Sequence, residues 1–400
     1  MLNVLSLEKA CDILNKICLM QPLETEMVPL ARSLGRVLAK SAAAAEDVPG
    51  FHRSTVDGYA VAAADTFGAS VAMPALLRLA VEVKMGQKAD VLLRSGECAA
   101  VPTGGELPHS TDAMVMLEDA QAFAGGMIAI EKPAAPGNHI IFAGDDAKKG
   151  SIVIAAGKKL LPQDIGALAA LGYAEVPVAR RPRVCVLSTG DELVDPSQTP
   201  KDGEVRDVNG GMLTAAAEAA GAEAVFCGRV PDEKALLAER IRGCAGKCEM
   251  LLLSGGSSVG AKDAAAECVS EQGELLFHGL AVKPGKPTFA GRIGKTLVIG
   301  LPGHPAAAFF IFQLLVRPAL EAMMRQASLV RMVPARLRAA VPSNTGREEY
   351  VAVRLDGGEA EPLMSKSGLI SVLARADGYI RIPRDTEGFS SGAQVDVRLF

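Results

Sequence analysis

The sequence predicts an α/β multidomain protein: a central, doubly wound, mostly parallel α/β domain accompanied by β-rich domains. Three observations predict it. Between residues 183 and 325 short apolar strands alternate with helical segments, the rhythm of a parallel sheet with helices on both faces. From Phe51 to about Lys132, and again beyond residue 327, short strand-like runs alternate with Gly and Pro. The chain has 400 residues, more than one hydrophobic core usually covers, so two to four domains are expected.

Residues 1–48 read as helical. Leu7, Ala10, Ile13, Leu14 and Ile17 recur on one side, with charges among them, which makes the N-terminus an amphipathic helix rather than a signal peptide. An Ala-rich stretch follows, before Glu46–Gly50. Leu77–Val83 and Ala113–Leu117 are typical strands of the next region. A helix is predicted over Gln163–Leu171, between Pro162 and Gly172, and Arg180-Arg181-Pro182 reads as a linker. The α/β unit then runs as strand Arg183–Ser188, helix Gly211–Ala220, strand Ala224–Cys227, helix Glu233–Arg242, strand Met250–Leu253, helix Ala264–Glu271, strand Thr296–Ile299 and a long helix, roughly Ala306–Arg325. Strand signals return at Ala335–Ala340, Glu349–Leu355, Gly378–Ile382 and Gln394–Leu399, a small barrel or sandwich.

Composition excludes some functions. A formal net charge of −4 argues against a nucleic-acid binder, which needs a basic face. The longest apolar stretch, Ala306–Val316, carries Gln313 and falls short of the roughly 18 to 20 residues of a membrane span. The eight cysteines are scattered. Only Cys244 and Cys248 are close, and CAGKC lacks a second ligand pair, so they read as small apolar residues of a reducing, cytoplasmic protein. No HxxxH or HxH grouping supports zinc catalysis.

In open α/β sheets ligands bind beyond the C-terminal strand ends, and three loops leave that edge: Ser188–Glu192, Ser254–Asp263 and Leu301–Pro305. Ser254, Gly255, Gly256, Ser257 and Gly260 form a Gly/Ser loop after a strand and before a helix. It is either an ordinary tight turn or a cradle of backbone N–H groups for phosphate. Asp191, Glu192, Asp207, Asp232 and Asp263 lie in loops of the same unit, either as helix caps and solvated acids or as Mg²⁺ ligands beside phosphate. Lys283-Pro284-Gly285-Lys286-Pro287 holds two ammonium groups on a stiffened loop, which suits an oxyanion or a solvated turn.

These motifs together resemble the molybdopterin molybdenumtransferase family (MoeA, and the gephyrin E domain). The resemblance covers essentially the whole chain, in order: Ser54–Ala60, Thr103-Gly104 with Asp112-Ala113, Gly144-Asp145-Asp146, Ser188–Leu193, Asp207–Asn209, Ser254–Gly256 through Val259-Gly260 and Lys262-Asp263, Lys283–Pro287, Leu301–Pro305, Gly346-Arg347 and Ser367-Gly368. It implies an elongated linking domain (residues 1–48 and 140–178), a β-rich domain II (49–139), a MogA-like α/β molybdopterin-binding domain III (179–326) and a C-terminal β-barrel domain IV (327–400). It implies a homodimer in which domain II reaches the partner's α/β domain. The implied reaction joins molybdate to adenylylated molybdopterin, giving molybdenum cofactor and AMP with Mg²⁺. A molybdopterin adenylyltransferase and molybdoenzymes are the implied protein partners. Asp57, Thr103, Glu192, Asp232, Asp263, Lys283 and Lys286 carry over as catalytic. Ser254, Gly255, Gly256, Ser257, Gly260, Pro302, Gly303, His304, Pro305, Arg347 and Ser367 carry over as substrate-binding, with Glu192 and Asp263 as metal ligands. His304 stands where relatives often have Asn, and Ile141-Phe142-Ala143 precedes Gly144 where arginines are frequent. A tungstate-inserting paralogue and a non-catalytic scaffold are the alternatives.

Overall fold

The computed structural model of the chain describes residues 4–255, 259–327, 330–363 and 370–400. The α/β unit consists of β1 (Arg183–Thr189), α1 (Asn209–Ala219), β2 (Glu223–Val230), α2 (Lys234–Cys244), β3 (Met250–Gly255), α3 (Val259–Gln272), β4 (Glu274–His278), β5 (Phe289–Ile293), β6 (Thr296–Leu301) and α4 (Pro305–Ile311). Its sheet has the order β2-β1-β3-β6-β5-β4. The first four strands are parallel, β5 runs antiparallel to β6, and β4, antiparallel to β5, shares the direction of the first four. The β4 and β5 strands go unread in the sequence because no helix separates them: the segment between them is the Lys283–Pro287 loop.

Both faces of the sheet are covered. Val184, Val186, Met250 and Leu252 pack with Leu213 of α1 and Ile311 of α4. Leu187, Leu251 and Leu253 point the other way, onto Leu237 and Ile241 of α2 and Val269 of α3. Side chains alternate faces along a strand, so burial on both sides demands the unbroken apolar runs seen at Met250–Leu253.

Helix α4 continues through a π turn at Phe312–Val316 into Arg317–Met323. Pro305–Met323 is longer than the apolar stretch read from the sequence, and by length and composition would cross a bilayer. However, 72% of it is buried inside the protein, which makes it a core helix. The N-terminal helix Leu7–Met20 packs on it through Ala10, Leu14 and Cys18. Ser6 caps that helix by accepting the Lys9 N–H at 3.3 Å.

The Ala-rich stretch before residue 48 is not helical. Thr25–Pro29 pairs antiparallel with Glu175–Ala179, and Ala42–Ala43 pairs with Ile152–Ile154. Strand partners from beyond the β-rich region override alanine's helix propensity. The helix Pro162–Ala170 joins this unit, beginning and ending one residue before the predicted Gln163–Leu171, with Pro162 as its first residue. The β-rich region between them is one six-stranded sheet, in the order Ala113–Met116, Gly58–Val61, Glu97–Val101, Ala75–Glu82, Met127–Ile130 and Ala120–Phe123.

At the C-terminus five strands close into a barrel: Glu348–Asp356, Glu359–Pro362, Met332–Leu337, Gln394–Leu399 and Gly378–Ile382, which returns to Glu348–Asp356. Leu337, Val351, Val353, Ile380 and Val397 fill it.

Candidate functional site

The C-terminal edge of the parallel strands gathers the polar groups. At Thr189, β1 lies so close to β3 that a Cβ at Gly255 would meet the Thr189 carbonyl oxygen at 2.0 Å. Only glycine fits there. Ser254 is buried, and its Oγ accepts from Asn209 Nδ2 at 2.8 Å. The same amide donates to the Gly303 carbonyl at 2.8 Å. Asn209, at the start of α1, thus ties the loop after β3 to the loop after β6. Ser254, Gly255 and Gly303 shape the edge, and the Ser254 hydroxyl is already engaged.

Beside this tie the ends of β1 and β2 carry Asp191, Glu192 and Asp232. The Asp232 N–H donates to Asp191 Oδ1 at 3.1 Å. Burial, together with the charges of Asp191 and Glu192, raises the Asp232 carboxyl above the usual range. Three buried polar atoms at this edge, Ser188 Oγ, Asn209 Oδ1 and Asp232 Oδ1, make no hydrogen bond with any described residue. A divalent cation suits this environment, since it would relieve the crowding of carboxylates and engage Asp232 Oδ1. The three acids do not converge to within 4.8 Å among the described residues. Mg²⁺ is commonly held by only one or two carboxylates with substrate phosphates, and so does not require such convergence.

Further along the edge, a cavity of about 560 Å³ opens between the α/β unit and the barrel. Lys283, Lys286, Pro302, His304 and Arg347 line it together. Its apolar wall includes Phe310, Tyr350, Leu363 and Val372. The Lys-Pro-Gly-Lys-Pro loop is positioned by both domains. Val282–Lys283 adds to the barrel sheet in parallel, opposite Glu348 and Glu349. Gly285 has φ +124° and presses on α4, where a Cβ would lie 2.3 Å from Ile311 Cδ1. The two lysines differ. Lys283 Nζ is 2.8 Å from Glu349 Oε1, whereas Lys286 forms no ion pair with a described residue. His304 is the N-cap of α4 and Pro305 opens its first turn, as a proline there can without losing a helix hydrogen bond.

The remaining predicted residues fall elsewhere. Asp57 and Thr103 meet each other in the β-rich region: Asp57 Oδ1 accepts the Thr103 N–H at 2.7 Å and its hydroxyl at 3.1 Å. Neither lines the cavity. Gly260 and Asp263 fall in the first turns of α3. Gly256, Ser257, Ser367 and the Asp263 carboxylate lie outside the described residues. Sequence reasoning missed Glu349, Tyr350 and Phe310 as site residues. Strand alternation cannot tell that Tyr350 and Ala352 face the α/β unit while Val351 and Val353 fill the barrel.

A cleft with lysine and arginine side chains and an apolar wall, at the C-terminal edge of a doubly wound sheet, is where proteins of this fold class bind small ligands. Residues 5–172 match the MoeA N-terminal region (domain I and II), residues 185–322 a probable molybdopterin binding domain, and residues 334–400 the MoeA C-terminal region (domain IV). The molybdopterin molybdenumtransferase of Bacillus subtilis is 32% identical over 94% of this chain and 90% of its own length. Molybdopterin molybdenumtransferase 2 of Mycobacterium tuberculosis is 34% identical over 92% of this chain and 94% of its own. The crystal structure of a molybdopterin biosynthesis MoeA protein from Pyrococcus horikoshii superposes with a TM-score of 0.86 at 33% identity, covering 100% of both chains. The chain belongs to the molybdopterin molybdenumtransferase (MoeA) family, transferases of molybdenum cofactor biosynthesis.

Proposed function

We propose that this chain transfers molybdenum from molybdate to adenylylated molybdopterin, forming molybdenum cofactor and releasing AMP in a Mg²⁺-dependent reaction, and that it works as a cytoplasmic homodimer. The observation that carries this reading is the cavity in which Lys283, Lys286, His304 and Arg347 converge beside an apolar wall. The planar ring system of the substrate packs on Phe310, Leu363 and Val372. Lys286 and Arg347 hold the oxyanions, either the phosphoanhydride or molybdate, in a site partly shielded from water, while Lys283 is engaged by Glu349. Glu192, Asp232 and Asp263 would hold Mg²⁺, which neutralises phosphate charge when bound. Water, or a molybdate oxygen, attacks the phosphoanhydride, so that AMP leaves and the other phosphate stays on the pterin. The two dithiolene thiols bond molybdenum while one molybdate oxygen departs as water with their two protons, molybdenum remaining Mo(VI).

Asp57 and Thr103 enter this reaction only if domain II of a second subunit closes the cleft, which is the reason for reading the enzyme as a dimer. A molybdopterin adenylyltransferase upstream and molybdoenzymes downstream are the partners this chemistry calls for.

The decisive assay gives the purified protein adenylylated molybdopterin, molybdate and Mg²⁺ and measures AMP. Metal-dependent release supports the enzyme. Tight binding without release makes the chain a scaffold, and equal release with tungstate makes it a tungstate-tolerant paralogue. Light scattering that finds only monomer at micromolar concentration, with full activity, removes the dimer.

A further inference from the structure

The fold supplies what CAGKC lacks in the sequence. Cys185 lies on β1, Cys227 on β2, and Cys244 is the last residue of α2. Their three Sγ atoms lie within 4.8 Å of one another, the only such group of potential ligands among the described residues. Buried Cys248 adjoins them, its Sγ donating to the Cys244 carbonyl at 3.4 Å. The group lies behind the cleft, on the sheet face covered by α2 and α3.

We propose that Cys185, Cys227 and Cys244 bind one thiophilic d¹⁰ cation, Zn²⁺ or Cu⁺, at a site separate from the cleft. Three features carry this. First, the spacing is close to what a metal needs: Zn–S bonds of about 2.3 Å put tetrahedral sulfurs about 3.8 Å apart, so the thiols close on an ion by shifts of roughly 1 Å or less. Second, the three cysteines are half-buried and line a cavity of about 520 Å³, so an ion can enter and a water can complete its shell. Third, Arg240, Arg242 and Lys247, with one acid, Glu239, rim the same cavity, so cations outnumber the acid there by three to one. Arg240 is anchored there, donating to the Cys227 carbonyl at 3.1 Å. A divalent or monovalent ion bound by three thiolates leaves a net negative charge, which these cations offset. Apolar packing alone gives no reason for a net excess of two cations around three sulfurs. On binding, three S–H bonds break, three S–metal bonds form, and the protons pass to the buffer. Trigonal thiolate coordination suits Cu⁺, whereas three thiolates and a water suit Zn²⁺.

The test uses the full chain, reduced and stripped with chelator. Zn²⁺ alone and Cu⁺ alone are added against a chromophoric competitor, and Co²⁺ reports thiolate coordination by charge-transfer absorption. One equivalent of Zn²⁺ or of Cu⁺ per chain is expected, and the arm that holds it names the ion. Cys227→Ser and Cys244→Ser lose stoichiometric binding, whereas Cys98→Ser and Cys268→Ser keep it. Thermal melts check that each variant folds. A second measurement needs no variant: in the wild-type protein, the ion protects Cys185, Cys227 and Cys244 from maleimide, as mapped by mass spectrometry. The proposal is overturned if neither ion is retained, if two of the three cysteines are found joined as a disulfide in the protein as isolated, or if the three alkylate at the same rate with and without the ion.

Discussion

Lys283 Nζ lies 2.8 Å from Glu349 Oε1, so the first cation of the Lys-Pro-Gly-Lys-Pro loop is already neutralised by the barrel. Glu349 is buried and its other oxygen accepts from Ser343 Oγ at 2.7 Å. This pair joins the α/β unit to the barrel at the mouth of the cavity. Lys286, three residues on, lines the same cavity without an ion pair to a described residue. The two lysines therefore do different work, although sequence gives no reason to separate them.

The first prediction follows from that difference. Lys286→Met should weaken binding of molybdate or of the pterin nucleotide by about tenfold to a hundredfold, the loss of one charge-assisted hydrogen bond of roughly 1.5 to 3 kcal/mol, with little change in melting temperature. Lys283→Met should destabilise the fold by about 1 kcal/mol, because it leaves a buried carboxylate short of a partner. Titrating both substrates, with melts alongside, decides it. Equal losses of affinity at unchanged stability would mean that Lys283 is not committed to Glu349.

Asp57 gives the second. As a polar turn residue it would cost almost nothing to truncate, but its carboxylate holds both the N–H and the hydroxyl of Thr103. Asp57→Ala should therefore cost about 1 kcal/mol of stability as well as most AMP release. Asp57→Asn keeps an acceptor for Thr103 and should restore the stability. If Asn also restores full AMP release, Asp57 only positions the turn, and the charge plays no part in the reaction.

How far the sequence reaches can be argued from particular elements. The parallel strands were legible because burial on two faces forces runs such as Leu251-Leu252-Leu253. The strands Gly378–Ile382 and Gln394–Leu399 have the bounds that their alternation predicts. The pairing of Thr25–Pro29 with Glu175–Ala179 was not legible, since it joins segments far apart in sequence. The chemistry followed the same divide. Lys283, Lys286, Pro302 and His304 stand out as loop residues, but their meeting with Arg347 depends on how the barrel docks. Cys185, Cys227 and Cys244 come from three separate elements, so no local spacing signals them.

The third prediction concerns acid stability. Glu249 accepts from the Arg183 N–H at 2.7 Å and from Arg180 Nη2 at 2.8 Å, clamping the Arg180-Arg181-Pro182 linker to the sheet. Burial works to raise its pKa, but the Arg183 and Arg180 guanidiniums outweigh burial and hold it at about 2, against an ordinary 4.5. A depressed carboxylate stabilises the fold above its unfolded pKa and loses that contribution as pH falls through the folded one. The clamp should therefore weaken progressively below about pH 4.5, by about 1 to 2 kcal/mol once solvent screening of the half-exposed arginines is allowed for. Urea midpoints measured against pH should fall less steeply in Glu249→Gln than in the wild type. Identical slopes would show that the clamp contributes nothing.

The last prediction sets stability against function at Asp232. Its carboxyl is raised by burial and by the nearby Asp191 and Glu192 charges, so at neutral pH the ionised form is held under strain. The sign is opposite to that of Glu249: a raised acid binds its proton more tightly in the folded state, and folding gains as pH falls through that raised value. Asp232→Asn removes the charge but keeps the shape, and the Asp232 N–H can still donate to Asp191 Oδ1. The variant should be more stable than the wild type at pH 7 to 8, by about 0.5 kcal/mol, and the advantage should shrink as acid neutralises the wild-type group. AMP release should fall, and Mg²⁺ should raise the melting temperature of the wild type but not of the variant. A substitution that stabilises the fold while removing metal response marks a carboxylate kept for chemistry. If Asp232→Asn instead lowers stability and leaves both AMP release and the Mg²⁺ effect intact, the acid is part of the loop's structure and the cation sits elsewhere.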